Sequence, residues 1–339
     1  GFRDDKPADE VEAERPSPTA TPPSPVVAAS TVRVAAVRPR GSEPVMGVTI
    51  SHADKALWPD AGDGAPVTKL ELARYYEAVG PWMLTHLAGR PCSMLRMPDG
   101  IGGDQKFFQR HAAPGQSALI DTVTLPGDPK PYLRFDRVEA LIAAAQAGAL
   151  ELHPGNCALF APEEPGRLVF DLDPAPDVPF TQVVAAALEI RDRLERLGLV
   201  GFPKTTGGKG LHVTVPVAAD GIDWAAAKGF ARAFCQAMAD DAPARYLTSI
   251  AKKDRGGRIF LDYLRNDRTA TAVAPLSPRG RPGASVSMPL RWPEVTKRLD
   301  PTRYTLRTVP KLIGRSSAWE GYDDATRSLS AAVGRLKAR

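Results

Sequence analysis

Arg167-Leu-Val-Phe-Asp-Leu-Asp173 is followed, after a helical spacer, by Thr205-Thr-Gly-Gly-Lys-Gly-Leu-His212, and the two halves together set the architecture. In a strand the side chains alternate, so Val169, Asp171 and Asp173 share one face and Leu168, Phe170 and Leu172 the other. The two carboxylates are then about 6.5–7 Å apart at their Cα atoms, a spacing that suits two divalent ions lying ~3.5–4 Å apart. Hard oxygen ligands of this kind select magnesium or manganese. Asp173-Pro174 is also a good turn start, so the acids alone favour a strand end entering a polar loop.

The second half moves the balance. Gly207, Gly208 and Gly210 permit positive φ and close backbone approach, so successive N–H groups can converge on an anion, with Lys209 adding a point charge. A strand from Leu211 to Val217 follows, apolar at alternate positions, and His212 on its other face should emerge just beyond the loop as a donor to a phosphate oxygen. The loop is not a Walker A motif, which needs G-x-x-x-x-G-K-[ST] opening a helix. A glycine-rich hairpin is by itself often only a turn. In Arg258-Ile-Phe-Leu-Asp-Tyr263 a third carboxylate, Asp262, sits on a third strand, with Arg265 and Arg268 just past it. Ligands for cations followed by cations for a phosphate tail are what a metal–triphosphate site needs.

Phe170-Asp-Leu-Asp-Pro174, Thr206-Gly-Gly-Lys-Gly-Leu-His212, Phe260-Leu-Asp-Tyr-Leu-Arg-Asn266 and Thr271-Ala-Val-Ala-Pro-Leu-Ser277, with Arg279 and Arg281, resemble in order and spacing the polymerase domain of bacterial ATP-dependent DNA ligase D. That domain belongs to the archaeo-eukaryotic primase superfamily. The resemblance covers about residues 46–320; no motif is specific alone, but the four together are. It implies an α/β primase-like polymerase fold, with mixed and antiparallel sheets and flanking helices around a central catalytic cleft. The implied activity is template-directed addition of a few nucleotides, preferably ribonucleotides, at DNA ends and gaps before ligation in non-homologous end joining. Asp171, Asp173 and Asp262 would hold two Mn2+ or Mg2+ ions, and Thr206, Lys209, His212, Arg265, Arg279 and Arg281 would bind the NTP or dNTP triphosphate. Ku, the ligase module of the same polypeptide and gapped DNA with a 5′-phosphate are the implied partners.

Further positions carry over from the resemblance. Lys55, before Leu57-Trp-Pro59, and Lys69, at the start of a helix, match the lysines that bind the 5′-phosphate of a downstream DNA end. A helix N-terminus presents free N–H groups to an anion, which makes Lys69 physically sensible. Phe107 and Phe108, set in Lys106-Phe-Phe-Gln-Arg-His111, are the aromatics expected to stack on a template base, with the choice between them open. His153 matches a histidine near the metal site and the incoming nucleotide. The chain departs from the family at Thr206, where Ser is usual: the hydroxyl survives, but the added methyl leaves the degree of ribonucleotide preference in doubt. A de novo primase would share the metal site, yet many replicative primases add a zinc motif, which Cys92, Cys157 and Cys235 are too scattered to form. A metal-dependent nuclease, which has no use for the triphosphate-binding cations, and a DNA-end-binding module with a degenerate site are less favoured alternatives.

Composition sets outer bounds. A chain of 339 residues with 43% hydrophobic content admits one large domain or two small ones. No stretch approaches the ~18 consecutive apolar residues of a membrane helix, no secretory pattern is present, and the cysteine usage fits a reducing cytoplasm. Net charge is only +5, but from Arg245 to Arg315 there are 16 Lys and Arg against five acids, a density that suits a polyanion. Residues 1–45 hold eight of the 33 prolines and read as a linker, with the polymerase-like domain occupying 46–339. Gly1-Phe-Arg-Asp-Asp-Lys-Pro7 is similar to the end of a ligase D ligase domain, and with no initiator Met the chain reads as an excised module. Helices are expected from Thr68, with Glu71 completing a capping box, over Arg134–Leu152, along the Val183–Leu197 stripe with Gly198 as C′, over Trp224–Met238 and from about Asp323. His153-Pro154 reads as a turn and Thr271–Pro275 as a strand.

Overall fold

A strand buried on both faces must be covered on both, and Arg167–Pro174 is one: apart from half-buried Asp173, every residue in it is buried. A computed structural model describes residues 41–338 and sets this strand in the middle of a six-stranded sheet. The chain enters through a hairpin of β1 (Glu43–Val45) and β2 (Val48–Ile50), then β3 (Ala56–Trp58) and β4 (Val67–Thr68), which runs into α1 (Lys69–Leu87). A first large sheet follows, from β5 (Cys92–Arg96), β6 (Phe107–Gln109), β7 (Asp121–Val123), β8 (Tyr132–Arg134) and, after α2 (Val138–Gln146), β9 (Ala149–Pro154). A hairpin of β10 (Cys157–Ala158) and β11 (Ala161–Pro165) leads to β12 (Arg167–Pro174), α3 (Phe180–Arg196), β13 (Phe202–Thr205), β14 (Leu211–Ala218), α4 (Trp224–Asp241), β15 (Tyr246–Leu247) and β16 (Ile259–Asp262). The chain closes with α5 (Val309–Ile313), β17 (Arg327–Ser328) and α6 (Leu329–Lys337).

The second sheet runs β13-β14-β12-β16-β15, with β17 beside β14; the first runs β6-β5-β8-β7, with β9 beside β5. Pairing is antiparallel except for β15 with β16 and β17 with β14. This is the mixed α/β architecture expected. Residues 1–40 of the expected linker lie outside the described residues, and pairing begins inside that stretch, since Glu43 already faces Ile50. Among the described residues no helix is long and apolar enough to cross a membrane.

Local chemistry accounts for the helix ends. Thr68 caps α1 as expected, with its hydroxyl on Glu71 N and the Glu71 carboxylate returning to Thr68 N. Gly80 lets α2 approach α1, because a Cβ there would lie 2.9 Å from Val138 Cγ1. Leu72, Tyr76, Val79 and Met83 of α1 are almost fully buried in one core shared by both sheets, each stabilising by about 1.5–3 kcal/mol.

Four expectations need correction. Arg134–Leu152 is not one helix: Gly148, at φ +75°, ends the helical stretch, and Ala149–Pro154, buried except at His153, pairs with β5 as a strand. The extended conformation that Pro154 imposes on His153 therefore belongs to β9 rather than to a turn. Thr271–Pro275 forms no ladder. Its N–H groups go one by one to β9, Ala272 to Pro154 O and Ala274 to Leu152 O, Pro275 has none to give, and Leu276 turns away at φ +61° to reach Ser287 O. The last helix starts at Leu329, where Ser328 caps it, not near Asp323.

The same 271–290 segment joins the two sheets. Its first arm bonds β9; its second sends Leu290 N to Pro203 O and receives Thr205 N at Met288 O, both on β13. The turn between the arms, with Arg279 and Arg281, is thereby carried to the seam between the sheets.

His86, in the last turn of α1, has its ring 5.0 Å from those of both Trp319 and Tyr322, edge-on to each. Burial, then the charges of Arg167 and Arg90, push its imidazolium down to about 3. The unfolded chain takes up that proton near pH 6.5 and the folded chain does not, so stability is full above ~6.5 and declines as pH falls. Thermal melts from about pH 7.5 to 4.5 should show a falling Tm, with His86 contributing on the order of 2–3 kcal/mol by the acid end. His86→Gln should flatten that slope whatever its own starting Tm; equal slopes in the two proteins would refute the assignment.

Candidate active site

Strand register lines up four ionisable side chains. Lys204 on β13 stands opposite His212 on β14, His212 opposite Asp171 on β12, and Asp171 opposite Asp262 on β16. Residues directly opposite one another project to the same face, and all four are buried, with exposures of 2, 3, 8 and 5%. Adjacent buried carboxylates repel, and Arg265, from the turn after β16, stands between them. Its Nε lies 3.2 Å from Asp171 Oδ2 and 3.3 Å from Asp262 Oδ2.

His212 Nε2 lies 3.3 Å from Asp171 Oδ1. Burial alone would raise the Asp171 carboxyl, but His212, Arg265 and Lys204 together hold it well below the usual carboxylate range. Burial and the Lys204 charge push the His212 imidazolium down to about 4, so the ring is neutral at pH 7. Lys204 donates to Ser287 Oγ at 2.7 Å, and burial, followed by the charge of Arg279, drives its ammonium well below the ordinary lysine value. Asp173, two residues along the same face, meets Arg255 Nη1 at 2.7 Å and Lys209 Nζ at 3.6 Å.

The donor set suits a hard divalent cation: three carboxylates, two of which already direct oxygens at one positive nitrogen. Among the described residues, however, no three His, Cys, Asp or Glu groups form a ready ligand cluster. The acids face cations of the chain itself, so a metal would take over positions that Arg265, Arg255 and Lys209 neutralise here.

The glycine loop departs from expectation. Gly208 N and Gly210 N both donate to Thr206 Oγ1 at 3.3 Å, and that hydroxyl donates to Gly210 O at 3.1 Å. These amides are used in folding the loop rather than opened to an anion. His212 does not emerge at the loop mouth, because its register puts it in the buried row, where Nδ1 has no hydrogen-bond partner among the described residues. Lys209 donates to Pro174 O, and Arg279 reaches Thr206 O through Nη1. Arg281 lies against the loop, its Nη1 2.6 Å from where a Cβ on Gly208 would sit, and among the described residues no carboxylate pairs with it.

On the first sheet, His153 donates from Nε2 to Glu151 Oε2 at 2.8 Å, and the Phe108 ring meets it edge-on at 5.4 Å. Phe107 and Phe108 are both 47% exposed, but neighbours in β6 face opposite ways, so Phe108 alone shares the face of His153. Lys55 and Lys69 are neighbours in the fold, Lys69 N donating to Lys55 O at 2.9 Å. Lys55 pairs with Asp99 at 2.7 Å; Lys69 is 7% exposed, and burial, then the charge of Lys55, lowers its ammonium.

Three contributors were missed in the sequence. Lys204 is a lysine inside a strand, a visible signal, but nothing local says that it ends a row of charges. Arg255 lies in a loop whose approach to Asp173 is purely tertiary. Asn266 is fully buried, its side-chain amide accepting from Val169 N at 2.7 Å and donating to Val169 O at 2.9 Å. It extends the ladder past the end of β16 and so fixes the turn that carries Arg265.

Known proteins share this arrangement of elements. A family model described as LigD, primase-polymerase domain, matches residues 68–319. The multifunctional non-homologous end joining protein LigD of Pseudomonas aeruginosa is 38% identical over 346 residues, covering 100% of this chain and 39% of that protein. The multifunctional non-homologous end joining DNA repair protein LigD of Mycobacterium tuberculosis is 34% identical over 268 residues, 75% of this chain and 34% of that protein. A solved structure, the polymerase domain from Mycobacterium tuberculosis Ligase D in complex with DNA, matches with a TM-score of 0.73 at 32% identity, over 82% of this chain and 98% of that one. The chain thus spans between a third and two-fifths of the length of these full-length relatives.

The loop's tolerance is testable. A Cβ on Gly210 would lie 2.3 Å from Leu172 O, a backbone atom of the strand that carries the acids, whereas one on Gly229 within α4 meets nothing within 4 Å. In urea unfolding, Gly210→Ala should cost about 1–3 kcal/mol, while Gly229→Ala should gain about 0.5–1 kcal/mol. A Gly210→Ala protein as stable as the parent would contradict the packing of the loop on β12.

Proposed function

The chain belongs to the LigD primase-polymerase family, and from that membership we propose that it adds ribo- or deoxynucleotides, under template direction, to DNA ends and gaps during non-homologous end joining. The observation that carries this reading is the buried row that ends in Asp171 and Asp262, with Arg265 between the two acids, Lys209 on Asp173 two residues along, and Arg279 and Arg281 against the glycine loop. A nuclease needs the acids alone; a nucleotidyltransferase needs both sets.

Asp171, Asp173 and Asp262 would hold two Mn2+ or Mg2+ ions, which when bound activate the primer 3′-hydroxyl and neutralise the triphosphate and the departing pyrophosphate. The chain's own residues do the rest. Arg265, which neutralises Asp171 and Asp262 here, is placed to transfer its charge to the triphosphate, and Arg279 and Arg281 hold the same group from the seam. Lys209 adds a point charge, Thr206 keeps the loop closed beneath it, and His212, with Nδ1 unpartnered, completes the set from below. His153 would face the incoming nucleotide, and the Phe108 ring edge-on to it supports Phe108 over Phe107 as the template stacker. Lys55 and Lys69 take the downstream 5′-phosphate at the start of α1 through their ammonium groups, because the first helix N–H groups are already engaged, Lys69 N by Lys55 O, Leu70 N by Ala53 O and Glu71 N by the Thr68 hydroxyl. The proposed partners are DNA ends, Ku and a ligase module in the same polypeptide, acting in the cytoplasm on the nucleoid.

Primer extension on a gapped duplex tests the reading. With a 5′-phosphate at the gap, templated addition is expected in Mn2+ or Mg2+, weakening when the phosphate is removed or when Lys55 or Lys69 becomes Ala. Asp262→Ala should abolish extension and leave end binding largely intact; loss of both together would overturn the site assignment. Phe108→Ala should reduce templated addition about ten-fold or more, the scale of one lost base–aromatic stack, with Phe107→Ala the milder change.

A further inference from the structure

Glu151 lies outside the metal–triphosphate set, yet it is 3% exposed and carries a full charge. Burial would raise its carboxyl, but Arg279 and His153 hold it down at about 2. Each of its oxygens is engaged. Oε1 accepts from the backbone N of Gly280 at 2.8 Å; Oε2 accepts from His153 Nε2 at 2.8 Å and lies 3.1 Å from Arg279 Nε.

These partners belong to different parts of the chain. His153 stands two residues along β9 on the same face, and Phe108 joins that face across β5, since Leu95 is in register with both Glu151 and Phe108. Arg279 and Gly280 belong to the turn of the 271–290 segment, and Arg279 continues to Thr206 O on the glycine loop. The turn is held elsewhere too, by Trp58 Nε1 on Arg279 O at 2.9 Å and by Met97, whose Cε would lie 2.6 Å from a Cβ on Gly280. One carboxylate thus couples the nucleotide-facing histidine to the turn that carries two phosphate-binding arginines.

We propose that Glu151 is a positioning residue for nucleotide binding: it fixes His153 as the Nε2–H tautomer and locks the Arg279–Arg281 turn against the glycine loop. This rests on the polymerase reading given above. A carboxylate only accepts, so the imidazole must present N–H at Nε2, and Nδ1 is the nitrogen left to face a ligand. Arg279, ion-paired to Glu151 and hydrogen-bonded through Nη1 to Thr206 O, is held against the glycine loop before a nucleotide arrives, which removes ordering entropy from phosphate capture.

The test pairs kinetics with a spectroscopic signature. Glu151→Gln keeps size and an acceptor but removes the charge. On gapped DNA its nucleotide KM should rise about ten-fold or more, the scale of one lost charge-assisted bond, with kcat within about three-fold and DNA-end affinity unchanged. In the parent protein, 15N-histidine NMR at about pH 7, with His153 assigned by its substitution, should show the Nε2–H tautomer, and Glu151→Gln should shift it to a mixture. An Nδ1–H or imidazolium form in the parent, or a KM within two-fold of parent in the variant, would overturn the proposal. If neither protein incorporates nucleotides, the polymerase reading fails, and the tautomer measurement still decides the role of Glu151 by itself.

Discussion

Two carboxylates buried side by side on adjacent strands are an electrostatic liability that a fold tolerates only with a cation between them. Asp171 and Asp262 are such a pair, and Arg265 is the cation. Much of the second sheet answers to that requirement. β12 must be central so that both neighbours can bring a partner, the turn after β16 must place Arg265 over the gap, and Asn266 must hold that turn by bonding both backbone groups of Val169. At the far end of the row Lys204 completes the line from β13, with Ser287 its hydrogen-bond partner.

The first sheet supplies the other wall, and the 271–290 segment is what makes the two one site. Its lack of regular strand structure is functional in a geometric sense. A ladder would have committed the segment to one sheet, whereas single hydrogen bonds to β9 on one arm and to β13 on the other let it serve both. The turn between the arms then delivers Arg279 and Arg281 to the seam, where Glu151 of β9 meets Arg279 and Gly280.

The parts of this arrangement legible in the sequence are those governed by local periodicity and local chemistry. Alternation placed Asp171 and Asp173 on one face, Thr68 and Glu71 announced the start of α1, and Gly198 marked the end of α3. Register is where sequence reading ran out. Nothing between Lys204 and Asp262 indicates that these residues and His212 line up with Asp171, because cross-strand partners are fixed by packing and turn geometry over long separations. The Arg134–Leu152 reading failed for a related reason: an alanine-rich run has helical and strand faces alike, and only Gly148 separates them. The glycine loop was located correctly, but its amides were credited to an anion although Thr206 takes two of them. A hydroxyl at the first position of such a loop competes for its own N–H groups, a contest that sequence does not decide.

Arg265 in the cation position also bears on when this protein can fold. Domains whose metal is part of the folded structure must wait for the ion, and chelation unfolds them. Here the polypeptide brings its own counter-charge, so the sheet can close during synthesis in a cell short of divalent ions. On the proposed reading, a divalent ion would displace the guanidinium from its two carboxylates, and a triphosphate would offer that guanidinium a new anion.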